Sequence, residues 1–196
     1  MADKKAFNRR KIEKLIRQLL IELHDDPDRP GLMETPSRVA KMYEEIFEGQ
    51  LYTNDEIAEK FDKCFDIQTV NSNSLVVEKD ILGFSTCEHH IMLMYNMKIS
   101  IGYIPKGKVI GLSKLNRIAQ MCCKRLQLQE KIGEDIADVL SKIINTEDIA
   151  VYIEANHGCV AARGIKDPQA VTRTSCLKGA FMTNNNLRTE FLTMIR

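Results

Sequence analysis

Two short segments of this chain combine cysteine and histidine at spacings typical of metal ligands. The first runs from Cys87 to His90, and the second runs from His157 to Cys159. Two thiolates and one imidazole leave a zinc ion one open position, whereas four protein ligands usually make a purely structural site. In an open position zinc lowers the pKa of a bound water to about 7. The two segments therefore favour hydrolytic chemistry.

The spacing within each segment has a physical interpretation. A turn in a Cys-x-x-His segment brings Cys87 and His90 together, and residues two apart in a strand, such as His157 and Cys159, project from the same face. We therefore expect a turn and a strand to meet around one ion. In the structural alternative, Cys159 is a small buried apolar residue and His89 and His90 only form hydrogen bonds within a loop.

The composition is that of an ordinary globular protein. The chain has 196 residues, 44% of them hydrophobic and 28% charged, with a net charge of +1. Such a chain can bury one sizeable core, and its charge argues against a dedicated nucleic-acid binder. We find no secretion signal and no apolar run near the ~20 residues that span a bilayer, so we expect a cytoplasmic protein without membrane contact. Six cysteines without a regular framework then predict reduced thiols.

Hydrophobic periodicity predicts an N-terminal helical arm, residues 1–50, followed by an α+β body, residues 51–196. In the arm we expect amphipathic helices over residues 6–23 and from an N-cap at Thr35 to Gly49. In the body we expect an antiparallel hairpin region over residues 75–103, helices over 115–126 and 132–143, strands over 149–153 and 171–181, and a closing helix over 187–195.

The predicted sheet is mainly antiparallel, with a helix pair on one side. It is too short to close into a barrel within one chain, so its edges must be paired or covered. Pairing with further copies would satisfy the edges, and the amphipathic arm offers a second contact surface. We therefore expect a homo-oligomer.

A second group of residues suits anions. The segment from Gly111 to Arg117 ends a strand and opens a helix, so free backbone N–H groups, Ser113 as N-cap, and Lys114 could converge on phosphate oxygens. Arg163 adds a cation close to Cys159 in the sequence. Taken alone, the segment is more typical of a capped helix with exposed basic residues.

Two further pairs admit a functional and a structural interpretation. Arg38 and Lys41 share a helix face, which is either an ordinary wet surface or a small anion clamp, and the sequence alone favours the surface. Glu130, next to Gln129, could accept hydrogen bonds from N1–H and the exocyclic amine of guanine, a donor pair that adenine lacks. Capping of the following helix is the simpler interpretation.

Taken together, these motifs resemble the GTP cyclohydrolase I family. Their order and intervals match throughout: Cys-Glu-His-His at 87–90, Gly-Leu-Ser-Lys-Leu-Asn-Arg at 111–117, Gln-Leu-Gln-Glu at 127–130, His-Gly-Cys at 157–159 and Arg-Gly at 163–164. Asp-Asp-Pro-Asp-Arg and Thr-Pro-Ser-Arg in the arm resemble the family as well. The similarity covers residues 25–196.

The resemblance implies a tunnelling fold (T-fold), in which antiparallel sheets from several subunits join into an oligomeric barrel. In this family the assembly is a decamer of two pentameric rings, with active sites at subunit interfaces. The implied reaction converts GTP and water to 7,8-dihydroneopterin triphosphate and formate, the first step of tetrahydrofolate and pterin biosynthesis. The implied cofactor is Zn²⁺, held by Cys87, His90 and Cys159.

The resemblance also implies roles for the other candidate residues. His89 and His157 would donate or accept protons, and Gln129 and Glu130 would hold the guanine. Ribose and triphosphate would be held by Ser113, Lys114, Arg117, Arg163, Arg38 and Lys41, of which the last two reach a neighbouring subunit's triphosphate.

One segment departs from the family pattern. After His90 the family commonly has a stretch with proline and glycine, whereas here residues 91–97 are Ile-Met-Leu-Met-Tyr-Asn-Met. This segment is one residue longer than the family's.

Two other functions stay open. One is a non-catalytic zinc-containing T-fold protein that binds a purine or pterin, and the presence of His89 and His157 argues against it. The other is a deazapurine nitrile reductase, which needs a nucleophilic cysteine, whereas the cysteines here occupy zinc-ligand positions.

Overall fold

The computed structural model describes residues 5–66 and 74–196. Its helices are α1 (Arg9–Glu22), α2 (Thr35–Ile46), α3 (Asn54–Phe61), α4 (Leu112–Cys123), α5 (Gln129–Ile144), α6 (Gly158–Ala161), α7 (Ala180–Thr183) and α8 (Asn185–Met194), with a 3-10 helix at Glu48–Leu51. Its strands are β1 (Cys64–Asp66), β2 (Val76–Cys87), β3 (Met92–Tyr103), β4 (Lys108–Ile110), β5 (Leu126–Gln127), β6 (Ile149–His157) and β7 (Thr172–Leu177). Within these two ranges no helix has both the length and the apolar content needed to cross a bilayer.

The main sheet has the strand order β5-β2-β3-β6-β7. The four longer strands pair antiparallel, and the short β5 joins β2 in parallel. Cys87, the last residue of β2, pairs with Met92, and His157, the last residue of β6, pairs with Met94. The ends of β2 and β6 therefore meet the start of β3 at one end of the sheet, which we call the upper end.

One face of this sheet packs against α4 and α5 and forms the core. Alternate residues of β3 and β6 point into it, as the two-residue period of a strand requires. Burial of each large aliphatic side chain contributes about 1.5–3 kcal/mol, so this face supplies most of the stability. The fully buried residues here include Ile99, Ile101, Leu115, Ile118, Ile132, Ile136, Val151 and Ile153.

The opposite face of the sheet is polar near the middle and is covered by α8 lower down. Lys98, Tyr152 and Glu154 line a groove there, together with residues of α8. Phe191 of α8 packs directly on Gly102, where a Cβ would lie 2.7 Å from the ring. Only glycine allows this close approach.

Strand β3 contains a bulge at Asn96. Tyr95 pairs with Asn156 but Lys98 pairs with Glu154, so two residues of β3 face one residue of β6. Asn96 has a φ of 50°, and its side chain donates to Asn156 Oδ1 at 3.1 Å. The bulge lies inside segment 91–97, and the strands stay paired on both sides of it. The extra residue relative to the family stays a prediction.

Helices α1 and α2 form a hairpin, in which Arg9 pairs with Glu44. The apolar face of α1 stays largely uncovered within one chain, since Leu15 and Leu23 are 60% and 65% exposed. The predicted boundary at residue 50 falls inside the 3-10 helix, and the division into arm and body stays a prediction. Residues 1–4 of the predicted arm lie outside the described residues.

Several local predictions were wrong in detail. Thr35 is the first residue of α2 rather than its N-cap, and Ser113 lies inside α4 behind the N-cap Gly111. Cys159 lies in the helical turn α6 instead of a strand, because the chain turns at Gly158, where a Cβ would lie 3.1 Å from a β3 carbonyl oxygen. The strand predicted over 171–181 ends at Leu177, since the left-handed Gly179 (φ 53°) turns the chain into α7.

A buried ion pair joins the α4–α5 connection to α5. Arg125 Nη1 donates to Asp135 Oδ2 at 2.7 Å, and the side chains are only 12% and 3% exposed. The same guanidinium donates to the carbonyl oxygens of Gly49 and Tyr52 and to Asn54 Oδ1. It therefore fixes the segment before α3 against the α4–α5 connection.

We predict that Asp135→Asn lowers the free energy of unfolding by about 3 kcal/mol, because it leaves a buried guanidinium with its charge uncompensated. Urea denaturation at fixed protein concentration measures the change. Asp28→Asn is the control, since Asp28 is 68% exposed in its pair with Arg17 and should cost less than about 1 kcal/mol. Equal losses in the two variants would contradict a special role for the buried pair.

Candidate metal centre and active site

Cys87, His157 and Cys159 come together at the upper end of the sheet. One ligand atom of each lies within 4.8 Å of the other two. Cys87 ends β2, His157 ends β6, and the helical turn α6 carries Cys159. Cys87 is 5% exposed, whereas His157 and Cys159 are half-buried. The sequence segments that predicted a metal site therefore do meet in space.

The chemistry of this cluster suits a soft divalent cation. Burial raises the pKa of the Cys159 thiol, and the neighbouring Cys87 sulfur raises it further. A cation would reverse that preference, because it stabilises the thiolates. Zinc bonds sulfur at about 2.3 Å and imidazole nitrogen at about 2.0 Å, so small side-chain adjustments would let one ion reach all three atoms.

His90 lies in the turn after β2 and is directed toward Arg163. Arg163 Nη1 lies 2.7 Å from His90 Nε2. A guanidinium can only donate, so Nε2 accepts and Nδ1 carries the proton of the neutral ring. His89 is exposed beside it, with the two imidazole rings edge to face at 6.5 Å between centroids.

His157 contacts Gln129 and senses the charge of Glu130. Its Nε2 lies 2.8 Å from Gln129 Oε1. Burial lowers the pKa of His157 below 6.5, and the negative charge of the exposed Glu130 opposes this shift. The imidazole is therefore mainly neutral at pH 7. The start of α5 thus contributes an amide and a carboxylate to the cluster.

The predicted phosphate-binding residues of α4 lie far from this cluster. Asn116, on the same turn as Ser113 and Arg117, donates to Glu78 Oε1 at 3.1 Å, near the lower end of β2. Glu78 is nine residues before Cys87, and at ~3.3 Å per residue these two residues of β2 are on the order of 30 Å apart. Within one chain, α4 cannot deliver its phosphate-binding groups to the cysteines.

The remaining predicted cations lie on the surface. Arg38 pairs with Glu34, the N-cap of α2, and Lys41 is exposed one turn further on. Lys114 is half-buried at the start of α4. The chain therefore brings together Cys87, Cys159, His157, Gln129 and Glu130, sets Arg163 on His90, and keeps the α2 and α4 cations separate.

Sequence analysis missed one pair of residues that shapes the site. Asn156, next to His157, accepts a hydrogen bond from Asn96 and donates to Ala170 O at 2.9 Å. It thereby connects the β3 bulge to the end of the loop that carries Arg163. The sequence signal was Asn96 itself, because asparagine tolerates the left-handed backbone better than most residues.

The sequence of this chain matches the GTP cyclohydrolase I family over residues 12–196. Among curated relatives, GTP cyclohydrolase 1 of Clostridium acetobutylicum is 51% identical over 193 residues, which cover 97% of this chain and 99% of the relative. GTP cyclohydrolase 1 of Clostridium botulinum (strain Kyoto) is 56% identical over 182 residues, covering 91% and 93%. The Clostridium beijerinckii protein of the same name is 49% identical over 195 residues, covering 98% and 99%.

Both the family match and these relatives extend over nearly the whole chain, so arm, sheet and helix pair are all included. Of the segments that carried the resemblance in the sequence, the fold assembles residues 87–90, 127–130, 157–159 and Arg163 at the upper end of the sheet. The chain belongs to the GTP cyclohydrolase I family of enzymes.

Proposed function

We propose that this protein converts GTP and water to 7,8-dihydroneopterin triphosphate and formate, the first step of tetrahydrofolate and pterin biosynthesis. The observation that carries the proposal is the cluster of Cys87, His157 and Cys159 with Glu130 beside it. Two cysteines that can bind a metal, next to the neutral His157, suit hydrolysis, and an adjacent exposed carboxylate suits the donor edge of guanine.

We propose Zn²⁺ as the cofactor, with Cys87, His90 and Cys159 as its ligands. The thiolate-rich donor set supports zinc over calcium or magnesium, which prefer oxygen. When bound, zinc would make water nucleophilic at neutral pH. His90 Nε2 lies 2.7 Å from Arg163 Nη1, so as a zinc ligand His90 would either give up this contact or offer its other ring nitrogen. If the contact were given up, the Arg163 guanidinium would be available for an anionic substrate.

The protein's own groups would handle protons and recognise the base. His157 is mainly neutral at pH 7 and keeps a lone pair, so it can accept a proton and return it to a purine nitrogen such as N7. His89 is exposed beside His90 and is our second proton carrier. Glu130 would lie along the guanine edge that presents N1–H and the amine, whereas the neighbouring Gln129 contacts His157.

The triphosphate would be held by residues from more than one chain. Ser113, Lys114 and Arg117 lie near the lower end of β2, on the order of 30 Å from Cys87 of the same chain. A neighbouring copy must therefore supply them if they act with the cluster. Arg163 would come from the same chain as the cluster, and Arg38 and Lys41 from the arm of another copy.

The sheet edges support such an assembly. In the described ranges, β5 covers only the Thr86–Cys87 end of β2, and β7 pairs with β6 alone. Leu82 and Phe84 next to the open edge of β2 are 66% and 64% exposed. Because β2 and β7 run in opposite directions, copies can join edge to edge in antiparallel fashion. We propose a T-fold barrel of this kind, assembled as a decamer of two pentamers.

We also propose a cytoplasmic location. All six cysteines lie among the described residues and have free thiols. Two of them belong to the metal-ligand cluster, and a reducing compartment would keep them available for the cation.

The first test is turnover by the purified protein. Incubated with GTP, it should release one formate per GTP and yield a pterin that fluoresces after oxidation. ATP, which lacks the N1–H and amine donor pair, should give no such product. GTP binding without formate would instead favour a non-catalytic purine- or pterin-binding protein.

The second test separates metal ligands from proton carriers. Cys159→Ala should lose zinc and turnover together, because a thiolate ligand is missing. His157→Ala should keep zinc close to the wild-type amount and reduce kcat by about 10²–10⁴-fold, the range for general acid–base groups. Elemental analysis and formate assays measure both quantities, with Cys176→Ala as the thiol control. Loss of zinc from His157→Ala but not from His90→Ala would make His157 the third ligand.

The third test asks whether the site is shared between copies. Cys159→Ala and Arg117→Ala should each be nearly inactive, but chains co-expressed in equal amounts should recover about a quarter of wild-type activity, because a random mixture leaves that fraction of interfaces intact. If one chain supplied both residues, every site would remain defective. Lack of recovery in mixed oligomers of normal size would therefore contradict a shared site.

A further inference from the structure

Gln129 is a buried amide at the first position of α5. The residue is 1% exposed, so its hydrogen-bonding atoms depend on partners inside the protein. Its neighbour Glu130 points to solvent. Both residues match guanine ligands of the family in sequence. In the fold, however, Gln129 is buried and Glu130 is exposed.

The amide nitrogen of Gln129 is held by strands β6 and β7. Nε2 donates to Ile153 O and Thr172 O, both at 3.1 Å, and approaches Thr174 Oγ1 at 3.2 Å. Carbonyl oxygens only accept, so the NH₂ group must face them. If the amide group were rotated by 180°, its oxygen Oε1 would face two carbonyl oxygens, and none of the three could donate a hydrogen bond.

The amide oxygen must then face His157. Oε1 lies 2.8 Å from Nε2 of the ring, and an amide oxygen can only accept. Nε2 of His157 therefore carries a proton, and in the neutral ring Nδ1 has the lone pair. The orientation of the ring and its tautomer both follow from backbone carbonyls on two strands.

This bonding leaves Gln129 poorly suited to hold the base. Both of its N–H donors are already used by the strands, and its oxygen is used by His157. Glu130 has no such internal commitments as a donor or acceptor among the hydrogen bonds of the described residues and remains available to the guanine edge.

We infer that Gln129 is a positioning residue for His157, which it holds in one orientation and in the Nε2–H tautomer so that Nδ1 is the basic nitrogen. The effect of Gln129 on turnover rests on the proposed function, whereas its effect on the tautomer of His157 does not. Hydrogen-bond partners of metal-binding histidines orient the ring in the same way, and their loss typically costs about 10–100-fold in metal affinity or activity. We expect an effect of similar size here.

Steady-state kinetics of Gln129→Met, a variant of similar length, test the catalytic consequence. We expect kcat to fall about 10–100-fold while KM for GTP changes less than about twofold, since the base contact is intact. Glu130→Gln is the matched variant and should mainly raise KM. A raised KM with normal kcat in Gln129→Met would show that the amide binds the base and would overturn the inference.

A double-mutant cycle distinguishes positioning from a general structural role. If Gln129 acts through His157, adding Gln129→Met to His157→Ala should change kcat less than about twofold. Thr174→Val, which removes the weakest partner of the amide, should be nearly silent. Multiplied losses in the double variant would contradict action through His157.

Nitrogen NMR tests the tautomer without any turnover. Sedimented oligomer labelled with ¹⁵N-histidine should show a protonated Nε2 and an unprotonated Nδ1 for His157, assigned by difference with His157→Ala. Gln129→Met should show both tautomers. A protonated Nδ1 in the wild type, or an unchanged spectrum in the variant, would overturn the inference. If the wild type releases no formate, the proposed function fails, and this spectrum still decides the tautomer.

Discussion

The pairing of β3 with both β2 and β6 is the interaction on which the site depends. Cys87 and His157 are seventy residues apart in the chain and meet because each ends a strand that pairs with the start of β3. Burial on the helix face fixes this register, since a slip of one residue would turn Ile99 and Val151 toward solvent. The metal-ligand cluster is thus positioned by the same contacts that form the core.

The bulge at Asn96 separates the part of β3 that packs in the core from the part that pairs at the site. Below it, β3 aligns Ile99 with Ile153, and above it β3 aligns Met94 with His157, with one extra residue between the two alignments. The same residue donates to Asn156, which donates in turn to Ala170 O. The backbone irregularity therefore sets the position of the loop that carries Arg163.

Periodicity predicted most of the fold, and motif spacing predicted that the cysteine and histidine segments meet. Helices α1, α2, α4, α5 and α8 and the antiparallel sheet follow from apolar patterns, and the cysteine and histidine segments meet as expected. The errors arose where tertiary contacts override local pattern. Gly158 turns Cys159 into a helical turn because β3 lies so close to it. The partners of Gln129 are distant backbone carbonyls, which side-chain motifs cannot reveal.

The separation of the two halves of the proposed site also bears on why this chain would assemble. Cys87 and Ser113 belong to one chain yet lie near opposite ends of β2, so no side-chain rotation can unite them. Evolution of a longer loop could bridge that gap only at the cost of ordering more residues, about 1–2 kcal/mol of backbone entropy each. Edge-to-edge pairing solves the problem with hydrogen-bonding groups that an open sheet must satisfy anyway. In the proposed assembly, pairing the open edges of the sheet therefore also brings the two halves of the site together.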